Sequence, residues 1–344
     1  LGQLLDEQWK EANQQFTKFI EAHYENWLHS DNKPLMSPEI IPTHIQEKLQ
    51  NDEKIVLIII DCLRADQLKA MTSLLAQIFH IDTKYYLSIL PTATPYSRNA
   101  IFSGYYPNEL QNEYGELWQK MWQDEHSMNR FENQFLRDQL NRLGLESKSI
   151  HYHKVITYEE GNKLETRIGE FKEVDLLAIV INFVDILGHS RSESNILQEM
   201  VPDESAYRKA VCSWLENAWL LNVLEEISNW GHTVFLTSDH GSIRVTKPVQ
   251  IKGDRQTSTG IRFKYGQNIK MPEKSGITIP NPEKYLLPKH DLGTNYLIAK
   301  SGNFLIYPNE YHKFANHYNN SFQHGGISLE EMVIPIAELK GKNG

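Results

Sequence analysis

The sequence predicts an α/β fold with a mostly parallel central sheet flanked by helices, preceded by a helical segment. Two observations carry this. The runs IVLIII (55–60), LAIVINF (177–183) and TVFLT (233–237) are continuously apolar rather than alternating, as strands buried on both faces must be. Helical stretches separate them, clearest at 131–143 and 206–228, so the strands are joined by crossovers that cover the sheet.

In chain order, Leu4 to Trp27 reads as one amphipathic helix, with Leu5, Trp9, Ala12, Phe16, Phe19 and Trp27 at helical spacing. Such a stripe packs on its own domain or serves as a linker or dimerisation helix, and its near-heptad spacing favours the latter. Asn32-Lys33-Pro34 through Ser37-Pro38 then carries turn and helix-start chemistry. The boundary expected there gives a helical segment 1–33 and a domain 34–344. Further strands are expected at 86–90, 148–152, 294–299 and 333–337. The stretch 241–292 is rich in Gly, Pro, Lys and Thr and reads as a loop-rich insertion. There is no internal repeat.

Bulk properties narrow the function. A net charge of −9 excludes a general basic coat for nucleic acid. Two cysteines, Cys62 and Cys212, exclude a disulfide framework and fit a reducing, cytoplasmic setting. The longest apolar run, Ile55–Ile60, is far too short to cross a bilayer, and the N-terminus lacks the order of a secretory signal. The first residue is Leu1 rather than Met, which leaves room for an upstream domain.

In parallel sheets, ligands bind beyond the carboxyl ends of the strands. The polar residues found there are Asp61, Thr92 and Thr94, Asp185 with His189, Asp239 with His240, and, before the last strand, His324. Each alone has a structural reading: Asp61 as a helix cap, Thr94 as a turn residue, Asp239-His240-Gly241 as a turn, His189 and His324 as loop histidines. Together they are hard to justify structurally, because burying that much unpaired charge is expensive without a metal. Three Asp, three His and a threonine oxygen suit two divalent ions, zinc first and manganese next. No glycine-rich loop follows the first strand, where Asp61-Cys62-Leu63-Arg64 stands instead, so dinucleotide-binding and P-loop readings fail. Cys62 is expected to pack behind the site. His151, His153 and His290 read as structural or as substrate contacts.

The ordered set IIIDCLR, PTATPYSRNAIFSG, VDILGHS, TSDHG and HGG resembles the alkaline phosphatase superfamily on its phosphodiesterase side. More fully, from about Pro34 to the last strand, it resembles PglZ domains, specifically the output domain of PorX-type bacterial response regulators. The resemblance implies an alkaline phosphatase-like fold, with Asp61, Thr94, Asp239 and His240 on one metal and Asp185, His189 and His324 on the other. It implies Thr94 rather than Thr92 as nucleophile, since Ser103-Gly104 follows at the expected interval. The expected chemistry is in-line attack by Thr94 on phosphorus, a phosphothreonine intermediate, and its hydrolysis by water. For the asparagine that holds a phosphate oxygen in such phosphodiesterases, the candidates are Asn112 and Asn99. The resemblance also implies an upstream receiver domain phosphorylated by a sensor kinase, a homodimer on activation, and control of gene expression or type IX secretion.

The one locally basic stretch holds Arg244, Lys247, Lys252, Arg255, Arg262 and Lys264 against the single acid Asp254. A charge run is usually a solvated face. Directly after the expected ligands Asp239 and His240, it reads as a grip for the phosphates of a nucleotide or short oligonucleotide, with Phe263, Tyr265 and Tyr96 to stack bases. The expected activity is a phosphodiesterase on cyclic or short linear nucleotides. The alternatives are a phosphomonoesterase and a non-catalytic metal- or nucleotide-binding regulatory module.

Overall fold

The computed structural model describes residues 2–123, 128–253, 260–291, 293–309 and 311–342. Its strands are β1 (Ile55–Ile60), β2 (Phe79–Leu87), β3 (Ile150–Val155), β4 (Leu176–Ile181), β5 (Thr233–Thr237), β6 (Ile243–Arg244), β7 (Lys247–Gln250), β8 (Phe263–Gln267), β9 (Gly276–Ile279), β10 (Thr294–Ala299), β11 (Asn303–Ile306), β12 (Phe322–Gln323) and β13 (Val333–Gly341).

Six strands form the central sheet in the order β2-β13-β5-β1-β4-β3. β1 pairs in parallel with both β4 and β5, and β3 in parallel with β4. β13 alone runs antiparallel, between β5 and β2. The sheet is therefore mostly parallel, with helices on both faces. Val56, Ile58 and Ile60 of β1 enter one core cluster, while Ile55, Leu57 and Ile59 enter the other. That two-sided burial is why β1 carries no polar alternation.

Several elements differ from expectation in extent. The second strand starts at Phe79 and ends at Leu87, earlier than 86–90. The long helix expected at 206–228 is two, Glu204–Asn217 and Trp219–Ser228, because Ala218 adopts an extended backbone (ψ 163°) between them. The strand at 294–299 forms, but as the centre of a separate three-stranded antiparallel sheet, β8-β10-β9. Short strands and single-turn helices occupy the described part of 241–292.

The N-terminal helix spans Gly2–Leu28 and packs on the domain through a face that shares only Phe16 and Trp27 with the expected stripe. Asn13, Thr17, Ile20, Tyr24 and Leu28 are buried, whereas Leu5, Trp9, Ala12 and Phe19 of the expected stripe are exposed. The rotation has a polar cause. Asn13 Nδ2 donates to Glu330 Oε2 at 2.9 Å, and Asn13 Oδ1 accepts from the Leu329 amide at 2.9 Å. Trp9 Nε1 donates to Glu330 Oε1 at 2.7 Å. The Tyr24 hydroxyl accepts from the Leu90 amide at 2.8 Å. No described helix is long and apolar enough to cross a membrane.

Candidate active site

The carboxyl edge of the parallel strands gathers the chemistry. Asp61 directly follows β1, Asn182 and Asp185 follow β4, and Ser238-Asp239-His240 follow β5. Thr94 is the first residue of the helix Thr94–Ser103, capped by extended Ala93, so its hydroxyl projects from a helix N-terminus where the dipole favours negative charge. After Asp61 the chain turns through a left-handed Cys62 (φ 68°), which aims the Cys62 amide at Asp239 Oδ1, 3.3 Å away. Cys62 is buried and its thiol is pushed well above the usual range by that burial, which keeps it a packing residue.

Two clusters result. In the first, Thr94 Oγ1 lies 3.0 Å from His240 Nε2 and 3.4 Å from Asp61 Oδ1. His240 Nε2 is in turn 3.7 Å from Asp61 Oδ1 and 3.6 Å from Asp239 Oδ2. All three ionisable groups are buried. Burial lowers His240 to about 4. Burial, reinforced by the Asp61 charge, lifts Asp239 to about 6. Asp61 is also raised, its desolvation outweighing the Arg98 guanidinium beside it. His240 Nδ1 faces the Gly241 carbonyl at 3.1 Å, which assigns the proton to Nδ1 and leaves the Nε2 lone pair toward Thr94. Gly241 is required here: a Cβ would meet the Glu330 carbonyl oxygen at 1.9 Å.

In the second cluster, Asp185 Oδ1 lies 3.3 Å from His189 Nε2 and 3.4 Å from His324 Nε2. Burial opposes the charged forms of both Asp185 and His324. Hydrogen bonds override it: those from His189 and His324 hold Asp185 well below the carboxylate range, and the one to Asp185 holds His324 up at about 9. Asp185 and His189 share a helix face at i, i+4. His324 Nδ1 approaches the Thr92 carbonyl at 3.3 Å, which gives Thr92 a structural role. The His240 and His324 rings stack with centroids 4.2 Å apart, joining the clusters.

These donors fit divalent cations. Four ligands at about 2.05 Å from zinc stand about 3.3 Å from one another, close to the spacings in the second cluster. Asp239 Oδ2 is buried with no hydrogen-bond partner, an arrangement that is costly unless a cation takes the lone pairs. Each cluster brings three Asp/His ligand atoms within 4.8 Å of one another.

The clusters open into a cleft of about 600 Å³. Its lining includes residues that sequence reasoning passed over: Arg98, Asn129, Arg130, Tyr152, Lys154 and Asn182. Arg98 is fully buried; Nη1 donates to Asp61 Oδ2 at 2.6 Å and Nε to Glu132 Oε1 at 2.5 Å. It stands one helical turn after Thr94, a spacing that could have exposed it. Asn182 and Lys154 lie at strand ends, where the same rule that found Asp61 applies. Asn129 carries no sequence signal; its Nδ2 donates to the Thr94 carbonyl at 3.1 Å.

The expected substrate contacts fall elsewhere. Asn112 is exposed on the helix Pro107–Glu113, away from the cleft lining. Asn99 is buried, with Nδ2 donating to the Pro95 and Met128 carbonyls and Oδ1 accepting from Asn129. Arg244 is half-buried on β6 and Lys252 exposed beside Lys270, and neither lines the cleft. Arg262 is a correction of kind. It is fully buried and forms a bidentate pair with Glu331 (3.0 and 2.6 Å), because a guanidinium's rigid fork fits a carboxylate in a dry core. Glu331 also accepts from the Gly326 amide at 2.8 Å and from Ser328 Oγ at 2.6 Å, so Arg262 braces the loop that carries His324. Arg255 lies outside the described residues. Tyr96, Phe263 and Tyr265 are core residues packed with Trp122 and cannot stack a ligand base.

Fold and site together define an alkaline phosphatase-like protein, the architecture of phosphoester hydrolases. Residues 40–339 match the family described as the BREX system PglZ alkaline phosphatase-like domain, and the chain belongs to that family. Residues 1–28 match the PorX response regulator linker domain. Among solved structures, the chain is similar to murine ectonucleotide pyrophosphatase/phosphodiesterase 5, with a TM-score of 0.52 at 13% identity over 83% of this chain and 88% of that one. It is also similar to phosphonoacetate hydrolase from Sinorhizobium meliloti 1021 in complex with phosphonoformate, with a TM-score of 0.53 at 10% identity over 83% and 90%. At these identities the likeness is one of fold. No curated protein matches the chain in sequence.

Proposed function

We propose that the chain is a metal-dependent phosphodiesterase that cleaves nucleotide-type phosphodiesters, cyclic or short and linear, with Thr94 as nucleophile. The observation that carries the reading is the Thr94 hydroxyl, placed at a helix N-terminus 3.0 Å from His240 Nε2 and 3.4 Å from Asp61, at the mouth of a cleft shared with the Asp185 cluster.

Asp61, Asp239 and His240 with Thr94 would hold one divalent ion, and Asp185, His189 and His324 the other, with zinc the first choice and manganese the second. Bound there, the ions supply positive charge for the phosphate and lower the pKa of the Thr94 hydroxyl. The chain's own residues do the rest. His240, neutral at pH 7 and protonated on Nδ1, presents its Nε2 lone pair to the ion site beside Thr94 Oγ1. Asn129 anchors the Thr94 carbonyl, and Arg98 fixes the Asp61 carboxylate from behind. Thr94 Oγ, its proton given up to solvent, bonds to phosphorus as the P–O bond to the leaving group breaks and the departing alkoxide takes a proton from water. Water then adds to the phosphothreonine, the P–Oγ bond breaks and Thr94 regains its proton.

The linker match at residues 1–28 supports a role as the output domain of a two-component response regulator, with an upstream receiver domain that a sensor kinase phosphorylates and a homodimer on activation.

The test is metal content, then hydrolysis of a chromogenic phosphodiester beside the matching monoester, with Thr94→Ala as control. The reading expects about two ions per chain and diester cleavage that the substitution abolishes. Faster monoester cleavage would make the chain a phosphomonoesterase. Bound metal with neither ester cleaved above the rate of the substituted protein would replace the enzyme with a non-catalytic binding module.

A further inference from the structure

One wall of the cleft is cationic, and neither Asp/His cluster uses it. Lys154 sits near the end of β3, the edge strand beyond β4. The register sets Lys154 level with Val180 of β4, and Val180 level with Ile59 of β1, two residues before Asp61. Two strand spacings, about 10 Å, therefore separate its backbone from the strand that ends at Asp61. That sets the Lys154 side chain beside the reacting centre rather than on it, where it could meet a neighbouring phosphate of the same chain.

Lys154 is only loosely paired on this wall. The carboxylate facing Lys154, Glu132 at 3.8 Å, is already engaged by Arg98 at 2.5 Å and by the Tyr152 hydroxyl. Arg98 is itself neutralised by Asp61 at 2.6 Å, and Lys154 is left with a carboxylate already held by two shorter contacts. Arg130 is exposed at the cleft and has no carboxylate partner among the described residues. Beside them, Asn182 Oδ1 is buried without a hydrogen-bond donor, an acceptor that a sugar hydroxyl would satisfy. An Arg fork and a Lys point charge are the pair of groups suited to a phosphate, and here they stand in a chain of net charge −9.

We propose that Arg130 and Lys154 form a second anion subsite that takes a phosphate one nucleotide removed from the scissile phosphorus, so that phosphate-terminated short oligonucleotides are preferred over diesters with no further phosphate. This rests on the diesterase reading above and names its substrate class.

The experiment uses the metal-loaded chain and two substrates, a dinucleotide bearing a terminal phosphate and the same dinucleotide without it. The wild type is expected to prefer the first at least tenfold in kcat/KM, with a preference that weakens as salt rises. Arg130→Gln, an exposed change that leaves the core untouched, should reduce the preference severalfold, and Arg130→Gln with Lys154→Gln should bring it within twofold of parity. Equal rates on both substrates in the wild type, or a preference that survives in both variants, would overturn the subsite. If neither dinucleotide is cleaved although metal is bound, it is the diesterase reading that fails. Fluorescence polarisation of a labelled phosphate-terminated dinucleotide then decides the subsite: tenfold weaker binding by the double variant supports it, and equal binding refutes it.

Discussion

Arg98 offers the sharpest test of how the site is held. Its guanidinium is fully buried, 2.6 Å from Asp61, 2.5 Å from Glu132 and 3.8 Å from Asp239. Arg98→Met keeps an unbranched apolar stem and removes the guanidinium with its charge. Breaking a buried ion pair costs about 3–5 kcal/mol, because the remaining partner is left charged and dry. Glu132 keeps the Tyr152 hydroxyl and Lys154, so the loss concentrates on Asp61 and the lower end, about 3 kcal/mol, applies. At roughly 2–3 °C per kcal/mol for a chain of this size, the metal-free protein should melt about 6–9 °C lower.

The same structure says how that deficit behaves when metal is added. A divalent ion beside Asp61 restores a positive charge against the carboxylate that lost Arg98, so the gap between variant and wild type should shrink. Thermal denaturation followed by circular dichroism, once in chelator and once in saturating metal, reads both values. A metal-free change under about 2 °C would refute the buried-charge argument. An equal deficit in both states would separate Arg98 from the metal-binding role of Asp61. Arg98→Lys should fall between, since a point charge reaches one carboxylate and not both.

Two further predictions follow from the same pairings. Arg262→Met should lower the melting temperature by a similar or larger amount, since both Arg262 and Glu331 are fully buried, whereas a substrate contact would raise KM and leave melting unchanged. Metal binding should release a proton at pH 7, because His324, held up at about 9 by Asp185, must be neutral to ligate, while His240 at about 4 and Asp239 at about 6 are already deprotonated. Apparent affinity should then rise about tenfold per pH unit from 7 and level off above 9. In the metal-free chain the sign runs the other way: a raised His pKa contributes stability that is present below about 6.5 and lost as the pH climbs through 9. Calorimetry in buffers of different ionisation enthalpy measures the proton count, and no release at pH 7 would refute the assignment.

How much of this was legible in the sequence follows from what local pattern encodes. β1, β4 and β5 are continuously apolar because each is buried on both faces, so their ends, and with them Asp61, Asp185 and Asp239, could be placed by inspection. Arg262 could not. A charge run on paper looks solvated, and only the fold brings Glu331, 69 positions away, to meet it. Asn129 was hidden for the same reason, since its partner is the Thr94 carbonyl rather than anything in its own stretch. The N-terminal helix misled in the opposite sense. Hydrophobic periodicity selected Leu5, Trp9, Ala12, Phe16, Phe19 and Trp27, of which only Phe16 and Trp27 pack on the core; the buried face is chosen in part by Asn13 and Thr17, polar residues that no apolar stripe contains.

That buried polar face ties the helix to the site at two points. Leu90, whose amide donates to Tyr24, lies four residues before Thr94 on the segment that positions the nucleophile. Glu330, held by Trp9 and Asn13, lies six residues after His324, and its carbonyl closes over Gly241 next to His240. Glu330 is buried, and its carboxyl is raised by that burial despite the Asn13 bond. Moving the helix away would strand the Leu90 amide and the Glu330 carboxyl together, at about 1–3 kcal/mol for each buried group left unpaired. The two segments left unpaired are the ones that carry Thr94 and His324, so a displacement of the helix bears on both Asp/His clusters. A helix attached only through apolar contacts could slide at little cost to the site; this one cannot.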